Sequence, residues 1–322
     1  MPRFVIAVDA GGTHTRVGCF ALDGSRLGGA TGPGGSPNHN HDAAENVAAT
    51  LADALRNGGL DSTEAVALLA GVAAFVNGRD NPWAESFIRS PGLCCPTKIV
   101  NDAVVAHAGA LAGEPGVIVV AGTGSMIAAI TEAGEMIESG DLQHYAGGAR
   151  HLVFDAMHRV FTGQIGEADA TLIGEILLYW KASDVDQLRR IVLDLRAQDR
   201  NDVKRRYGDL APLITAAADT SPLADAALRT LTTKTAVGIA LLAPLITGVR
   251  APVALAGSLA TAPTFVRRLD EDLTLLTAGG DTSGQVIEIA TTILDPVGGA
   301  ALLALEIAGV PRSAELITQL QN

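Results

Sequence analysis

The sequence predicts an α/β protein of two domains, each a mixed sheet flanked by helices. Three observations lead there. Apolar runs of strand length alternate with segments of helical spacing along most of the chain. The stretch VIAVDAGGTHTRVGCF at 5–20 reads as strand, Gly/Thr turn, strand, and VIVVAGTGSMIAAI at 117–130 restarts the same pattern. A chain of 322 residues is also long for one core and comfortable for two. Gly-rich hairpins are common enough that the recurrence can arise by chance. Read as a repeat, it divides the chain at Gly113-Glu114-Pro115-Gly116, a linker by composition. That gives an N-terminal α/β domain over 1–115 and a C-terminal one over 116–322, with a last helix able to pack back on the first domain.

The elements follow in order. FVIAV (4–8) and VGCFAL (17–22) read as a hairpin, Asp23-Gly24 as a turn, and RLGGAT as the way into a loop that runs through GPGGSPNHNHD at 32–42. AAENVAATLADALRN (43–57) has helical spacing, and ALLAGVAAF (67–75) is a short buried strand. NPWAESFIRS (81–90) reads as a helix with Asn81 before Pro82 at its first position. TKIVNDA (97–103) reads as a strand ending in an acid, followed by a helix over 104–113. Residues 152–232 are mainly helical by pattern. PVALA (252–256), a helix from about Pro263 to Leu269, VIEIA (286–290) and an apolar helix over 296–309 complete the chain.

Composition narrows the function. Hydrophobic residues are 48% and aromatic ones 4%, so the core is Ala, Val, Leu and Ile. The net charge of −12 argues against nucleic acid and anionic membranes as partners, since both need clustered positive charge. It leaves anionic ligands open, because backbone N–H groups and Mg²⁺ hold phosphate on an acidic protein. Cys19, Cys94 and Cys95 fit neither a disulfide scaffold nor a zinc site and read as buried free thiols of a cytoplasmic protein. MPRFVIAVDAGG leads straight into a strand, so no signal peptide is expected. The longest apolar run, AVGIALLAPLITGV at 236–249, falls short of the roughly 20 residues of a membrane span.

An acid at a strand end, followed by Gly and Thr, suits phosphoryl transfer. Glycines let backbone N–H groups approach phosphate oxygens, Thr hydroxyls donate to the same oxygens, and Asp9 can hold Mg²⁺. Taken alone, D-A-G-G-T is also an ordinary Gly turn. It is no Walker loop, since no Gly-Lys-Ser/Thr follows, and no dinucleotide fingerprint, since a strand rather than a helix follows. Asn101-Asp102, Gly122-Thr123-Gly124-Ser125 and Ala256-Gly257-Ser258 add a second acid, a second phosphate-type turn and a small-residue strand end suited to a flat base. His39, His41, His144 and His151 lack metal-ligand spacing and read as surface or pocket histidines. DVKRRYGD (202–209) reads as a solvated helix face, and Trp83 and Trp180 as core.

The order D-A-G-G-T, N-D-A, A-G-T-G-S, A-G-S resembles the sugar kinase, heat-shock 70 and actin superfamily. Within it, the chain is similar to the N-acetylglucosamine kinases and BadF/BadG-type ATPases, over about 4–140 and again over 252–306. The resemblance implies an actin-like ATPase (ribonuclease H-like) fold with a central ATP cleft that closes on substrate. It implies ATP and Mg²⁺ as cofactors, a small hydroxyl acceptor such as a sugar, amino sugar or polyol, and a homodimer. Asp9 would organise the metal, and Gly11, Gly12 and Thr13 would line the nucleotide phosphates. Asp102 would be the catalytic base facing the acceptor. Gly122, Thr123, Gly124 and Ser125 would form the second phosphate loop, with Ser125 also facing the sugar, and Gly257 and Ser258 the adenosine side. Asn38 and His39 resemble an acceptor-side loop of amino-sugar kinases.

One motif departs from the family. Its kinases carry Gly-Asp-Glu-Gly-Ser after the second loop, with the acids on sugar hydroxyls. Counted without gaps, this chain has Gly147, Gly148, Ala149, Arg150 and His151 there. A slip of a few residues would bring Asp141 or Asp155 in. Otherwise the acceptor site is rebuilt, more positive through Arg150 with His144 or His151, and N-acetylglucosamine becomes a poor acceptor. An anionic acceptor, or one with other hydroxyl placement, is then expected. The rival readings are a BadF-type ATPase that activates a partner enzyme without an acceptor, and a non-catalytic nucleotide or sugar sensor.

Overall fold

The computed structural model describes residues 2–76, 83, 87–88, 92–122, 124–197, 203, 206–278 and 285–322. Most of the helix expected at 81–90, and Thr123 of the second glycine turn, lie outside the described residues. The chain forms two compact units. Unit 1 comprises Met1–Gly116, Ile130–Met136 and Ala290–Asn322; unit 2 comprises Val117–Ala129 and Ile137–Ile289.

Unit 1 is built on a five-stranded sheet in the order β3-β2-β1-β4-β5. Its strands are β1 (Phe4–Ala10), β2 (His14–Ala21), β3 (Arg26–Pro33), β4 (Ala65–Val72) and β5 (Thr97–Asn101). β1, β2 and β3 run antiparallel in turn, while β4 and β5 run parallel to β1. The segment RLGGAT, expected as the way into a loop, is therefore strand β3. Its glycines are where α1 (Ala43–Gly58) presses on the sheet. A Cβ at Gly28 would sit 2.8 Å from the Ala54 carbonyl oxygen, and one at Gly32 would strike the Thr50 hydroxyl. A strand that must let a helix backbone approach loses the β-branched residues by which strands are recognised. α1 ends at Gly59, whose left-handed φ of 59° lets the chain turn and its N–H cap the Arg56 carbonyl.

Alternation sorts the sheet's two faces. Phe4, Ile6, Val8 and Ala10 of β1 pack with Val47, Leu51 and Ala54 of α1. Val5 and Ala7 face the other way, onto Val105 of α2 (Asp102–Ala110) and Val297, Ala300 and Ala301 of α9 (Pro296–Ile307). α2 and α9 cross at Gly109 and Gly299, where a Cβ on Gly299 would strike the Val105 carbonyl.

Unit 2 repeats the arrangement. β6 (Gly116–Ala121), β7 (Ser125–Ile130), β8 (Met136–Glu138), β9 (Arg250–Ala256) and β10 (Val286–Ile289) lie in the order β10-β9-β6-β7-β8. Read from the other edge, this is the order of the first sheet. The helices are α3 (Ala149–Phe161), α4 (Ala170–Trp180), α5 (Val185–Asp194), α6 (Ala211–Ala217), α7 (Pro222–Leu242) and α8 (Pro263–Ala278), while α10 (Ala314–Leu320) closes unit 1. One core joins Val117 and Val119 of β6 to Leu152 and Met157 of α3, Leu228 of α7 and Phe265 of α8. Trp180 is buried in it, as expected. Tyr207, read with its charged neighbours as part of a solvated face, is buried against Trp180 and Phe154, because its ring completes that aromatic cluster. No described helix is long and apolar enough to cross a membrane.

Candidate functional site

The same alternation that buries Val5 and Ala7 on the α2/α9 face puts Asp9 on that face, at the carboxyl end of β1. Parallel strands align their carboxyl ends, and ligands of α/β sheets bind there. Asp9 pairs in register with Gly71 of β4, Gly71 with Val100 of β5, and Val72 with Asn101. The two acids found in the sequence thus end at one edge of one sheet.

Asp102 does not end a strand, as the sequence suggested. β5 stops at Asn101, whose side-chain oxygen accepts from the Ala103 N–H at 2.9 Å, and Asp102 is the first residue of α2. Asn101 is a strong N-cap, and its amide also donates to the Phe75 carbonyl at 2.7 Å. Burial, then the charge of Asp9, pushes the Asp102 carboxyl from 3.8 up to about 6; the N–H groups of residues 102 and 103 pull weakly the other way. Burial also raises Asp9, and Asp295 adds to the rise, while Arg16 opposes it through an ion pair at 3.2 Å.

Sequence reasoning missed Arg16 and Asp295. The hairpin register carried a signal for the first, since Arg16 is the direct cross-strand partner of Asp9. Asp295 caps α9, accepting from the Gly298 N–H at 2.6 Å before Pro296 at the first helical position.

Gly11, Gly12 and Thr13 form the turn between β1 and β2. The loop after β3 folds over it: Gly35 and Ser36 donate backbone N–H groups to the Gly11 carbonyl at 3.0 and 3.1 Å. Asn40 donates to the Gly12 carbonyl at 3.0 Å. Asn38 and His39 are exposed, with the His39 ring on the Ser36 hydroxyl at 3.0 Å and about 3.4 Å from where a Cβ on Gly12 would lie. Asn40, rather than Asn38, is thus the asparagine that binds this turn. Among the described residues the N–H groups of Gly12 and Thr13 have no acceptor. Those are the groups a phosphate oxygen could take.

In unit 2 the second and third glycine turns adjoin. β6 and β9 are parallel neighbours with Val120 opposite Ala256. The Ala121 carbonyl accepts from both Leu259 and Ala260, at 3.0 and 3.1 Å. Gly257 has a φ of +90° and lies so close that a Cβ would meet the Ala121 carbonyl oxygen at 2.5 Å. Gly124, Ser125, Gly257 and Ser258 are exposed. The Gly122 carbonyl accepts from Ala149 at 2.9 Å, which seats the start of α3 against the turn.

That seating fixes the departing motif. A Cβ on Gly148 would lie 2.7 Å from the Gly124 carbonyl oxygen, so an aspartate does not fit there. Ala149 is buried in the core. The two substitute acids are engaged elsewhere: Asp141 accepts from the Glu138 N–H at 3.1 Å, and Asp155 pairs with Arg159 at 2.9 Å. His144 donates from Nε2 to the Lys234 carbonyl at 2.7 Å, and Arg150, next to His151 in sequence, is partly exposed. Of the cysteines, Cys19 is buried and its thiol pushed up to about 12, but Cys94 is exposed and Cys95 half-exposed, against the expectation of burial. Both lie within the stretch 92–96, outside any strand or helix, where Cys94 faces outward and Cys95 packs only partly against the core that β1 shares with α1.

Mg²⁺ suits the acids of unit 1. They are hard oxygen donors, partly buried, and close enough that one charge raises the other's pKa. Among the described residues no group of three His, Cys, Asp or Glu could hold a metal alone. The remaining ligands would be water and phosphate oxygens, which Mg²⁺ prefers.

The profile of the BadF/BadG/BcrA/BcrD ATPase family matches residues 6–304. An N-acetylmuramic acid/N-acetylglucosamine kinase of Clostridium acetobutylicum is 31% identical over 149 residues, 45% of this chain and 48% of that protein. The chain thus matches about half the length of this curated relative. A solved structure from Chromobacterium violaceum, provisionally described as an N-acetylglucosamine kinase, is 25% identical at a TM-score of 0.63, covering 94% of this chain and 99% of that one. A ROK family glucokinase from Streptomyces griseus, solved with glucose and AMPPNP, is 20% identical at the same TM-score and coverage. The fold is the actin-like ATPase fold of these structures.

Proposed function

Since the chain belongs to the BadF/BadG/BcrA/BcrD ATPase family, we propose that it is an ATP-dependent kinase acting on a hydroxyl of a sugar or sugar-like acceptor. The observation that carries this reading is Asp102. It is a carboxylate held near pH 6 by burial and by Asp9, at the first turn of a capped helix, at the same sheet edge as a turn with free N–H groups. A general base works best with a pKa near the working pH. Asp102 would take the proton as the acceptor oxygen bonds to the γ-phosphorus and the bond to the ADP oxygen breaks. Its contribution would be mainly to orient the hydroxyl.

Asp9 would hold Mg²⁺, which when bound neutralises phosphate charge. Gly12 and Thr13 would donate N–H groups to phosphate oxygens, and Arg16 would favour the ionised form of Asp9 against the effect of burial. In unit 2, residues 122–125 would serve the phosphates and Gly257–Ser258 the adenosine. With Gly148 and Ala149 in the family's acidic positions, N-acetylglucosamine would be a poor acceptor.

An ADP-release screen over hexoses, amino sugars, uronic acids, cyclitols and nucleosides, with a no-acceptor control, tests the reading. A sugar that raises ADP release above the control supports it. Release that no acceptor changes favours the second reading, a BadF-type ATPase acting on a partner enzyme, toward which the exposed Cys94 points.

A further inference from the structure

The turn after β1 offers two donors, the N–H groups of Gly12 and Thr13, which have no acceptor among the described residues. Their direction is set on the far side of the same peptide groups. A trans peptide is planar, with its C=O and N–H pointing opposite ways. The Gly12 N–H therefore points away from the Gly11 carbonyl, and the Thr13 N–H away from the Gly12 carbonyl. The turn's own sequence fixes neither plane, because Gly11 and Gly12 lack the Cβ that would restrict their rotation.

The loop after β3 supplies the restraint. The backbone N–H groups of Gly35 and Ser36 both reach the Gly11 carbonyl, at 3.0 and 3.1 Å. The Gly12 carbonyl takes its bond from a side chain, the Asn40 amide, at 3.0 Å. The same amide nitrogen donates to the Ser36 carbonyl at 3.3 Å, and that carbonyl also accepts from the Asn40 backbone N–H at 2.9 Å. Asn40 is thus held by its backbone and its side chain together. Asn46 of α1 anchors the start of the loop, donating to the Gly34 carbonyl at 2.9 Å. Gly34 and Ser36 are buried and Asn40 is half-buried. A Cβ on Gly34 would strike the Gly12 carbonyl, so the loop can lie this close only with glycine there. One peptide of the turn is clamped by backbone; the other rests on one side chain.

We propose that Asn40 is a positioning residue for nucleotide phosphate: by holding the Gly12 carbonyl it aims the Thr13 N–H at a phosphate oxygen. The proposal rests on the reading of this turn as a phosphate site. Both bonds of the Asn40 amide go to carbonyls, so its effect on a ligand passes through Gly12. Donors aimed before the charge arrives need no reorganisation to meet it. With the Gly12 carbonyl released, the 12–13 peptide can rotate and present its oxygen, which repels phosphate, in place of its N–H.

The test compares the Kd of AMPPNP with that of adenosine, by calorimetry with Mg²⁺ present. The two ligands share a nucleoside and differ in the phosphates. The full chain is measured beside its Asn40→Ala, Asn40→Gln and Asn57→Ala variants, each checked for folding by a thermal melt. Asn57 is the control: it donates to the Gly29 carbonyl of β3 at 3.0 Å, the same kind of bond on the same sheet. Asn40→Ala should weaken AMPPNP about 10- to 100-fold, as loss of a hydrogen bond to a charged group does, and leave adenosine unchanged. Asn40→Gln, which keeps an amide, should recover part of the loss. Asn57→Ala should leave both constants as in the wild type. An Asn40→Ala variant that loses both ligands alike overturns the proposal, since Asn40 then only orders its loop; so does one that loses neither. If Asn40→Ala does not fold, the wild-type amide resonances decide: the Thr13 N–H should shift with AMPPNP and not with adenosine, and an unmoved signal overturns the proposal. A wild type that binds AMPPNP no tighter than adenosine overturns it together with the reading of the turn. The kinase reading fails separately, when no acceptor raises ADP release, and the Asn40 dependence of AMPPNP binding still decides the role of the clamp.

Discussion

Replacing Asp102 with Asn should stabilise the protein and stop phosphoryl transfer together. The folded state holds the Asp102 carboxyl about two pH units above its usual value of 3.8, by burial and by repulsion from Asp9. At about 1.4 kcal/mol per unit, keeping it ionised costs the fold on the order of 3 kcal/mol. Asn is close in shape and carries no charge. It forfeits the favourable interaction of Asp102 with the α2 N-terminus, about 0.3–1 kcal/mol, which is the smaller effect.

The sign follows from linkage. Below pH 3.8 both the folded and unfolded carboxyl are protonated and the penalty is absent. It grows between 3.8 and about 6, and above that it is complete. The Asn variant should therefore melt several degrees higher at pH 8, at about 2–4 °C per kcal/mol, and match the wild type near pH 4. Melts at pH 4, 6 and 8 without metal read this directly. Activity should fall about 10²- to 10⁴-fold, and wild-type kcat/KM should rise with pH through about 6. A variant with near wild-type turnover, or one whose melting change is the same at pH 4 and 8, refutes the reasoning.

Three further outcomes are expected. Asp9→Asn removes the carboxylate placed to fix the metal and releases Arg16, so the Mg²⁺ concentration for half-maximal rate should rise at least tenfold; an unchanged metal dependence would make Asp9 structural. Gly148→Asp cannot restore the family's acid, because its Cβ would sit 2.7 Å from the Gly124 carbonyl; a loss of about 1–3 kcal/mol is expected from overpacking, read as a lower melting temperature with impaired ATP use. N-acetylglucosamine should show a kcat/KM about 10- to 150-fold below that of the best acceptor found in the screen, at about 1.5–3 kcal/mol for a lost charged hydrogen bond; if it is the best acceptor, another acid serves its hydroxyls.

The central strands β1 and β4 were legible because both of their faces are buried and they read as apolar runs of strand length, and the two-residue repeat of side-chain direction then aims Asp9. β3 was not, because Gly28 and Gly32 answer to the backbone of α1 rather than to the sheet. The secondary structure of Asp102 was misread for a related reason. Asn101 both ends β5 and caps α2, so strand and helix meet with no loop between them, and a sequence pattern shows no break. Asn40, which holds the turn, was not singled out beside Asn38, read as an acceptor-side residue, because two asparagines separated by one residue look alike in sequence. Only the fold of the loop over Gly12 separates them. The acceptor side is the least legible. Gly148 and Ala149 stand where the family resemblance led one to expect acids, and only the packing of Gly148 on the Gly124 carbonyl shows why an acid does not fit there.

The two sheets share a strand order, yet their chemistry is unequal, and the inequality falls at corresponding places. β1 and β6 both run into a glycine turn. With Ala10 set opposite Ala121, the position of Asp9 falls on Val120 in unit 2. β4 and β9 occupy the same place in their sheets, and β9 ends at Ala256 and the left-handed Gly257, with no acid. A site made of backbone can hold phosphate or a flat base, but it has no carboxylate to accept a proton or to fix Mg²⁺. The shared strand order gives two similar scaffolds. The carboxylates Asp9 and Asp102 lie on only one of them, and in the proposed function they would supply the chemistry. The shared strand order therefore says little about a substrate, and the side chains that differ between the units are where that information has to be sought.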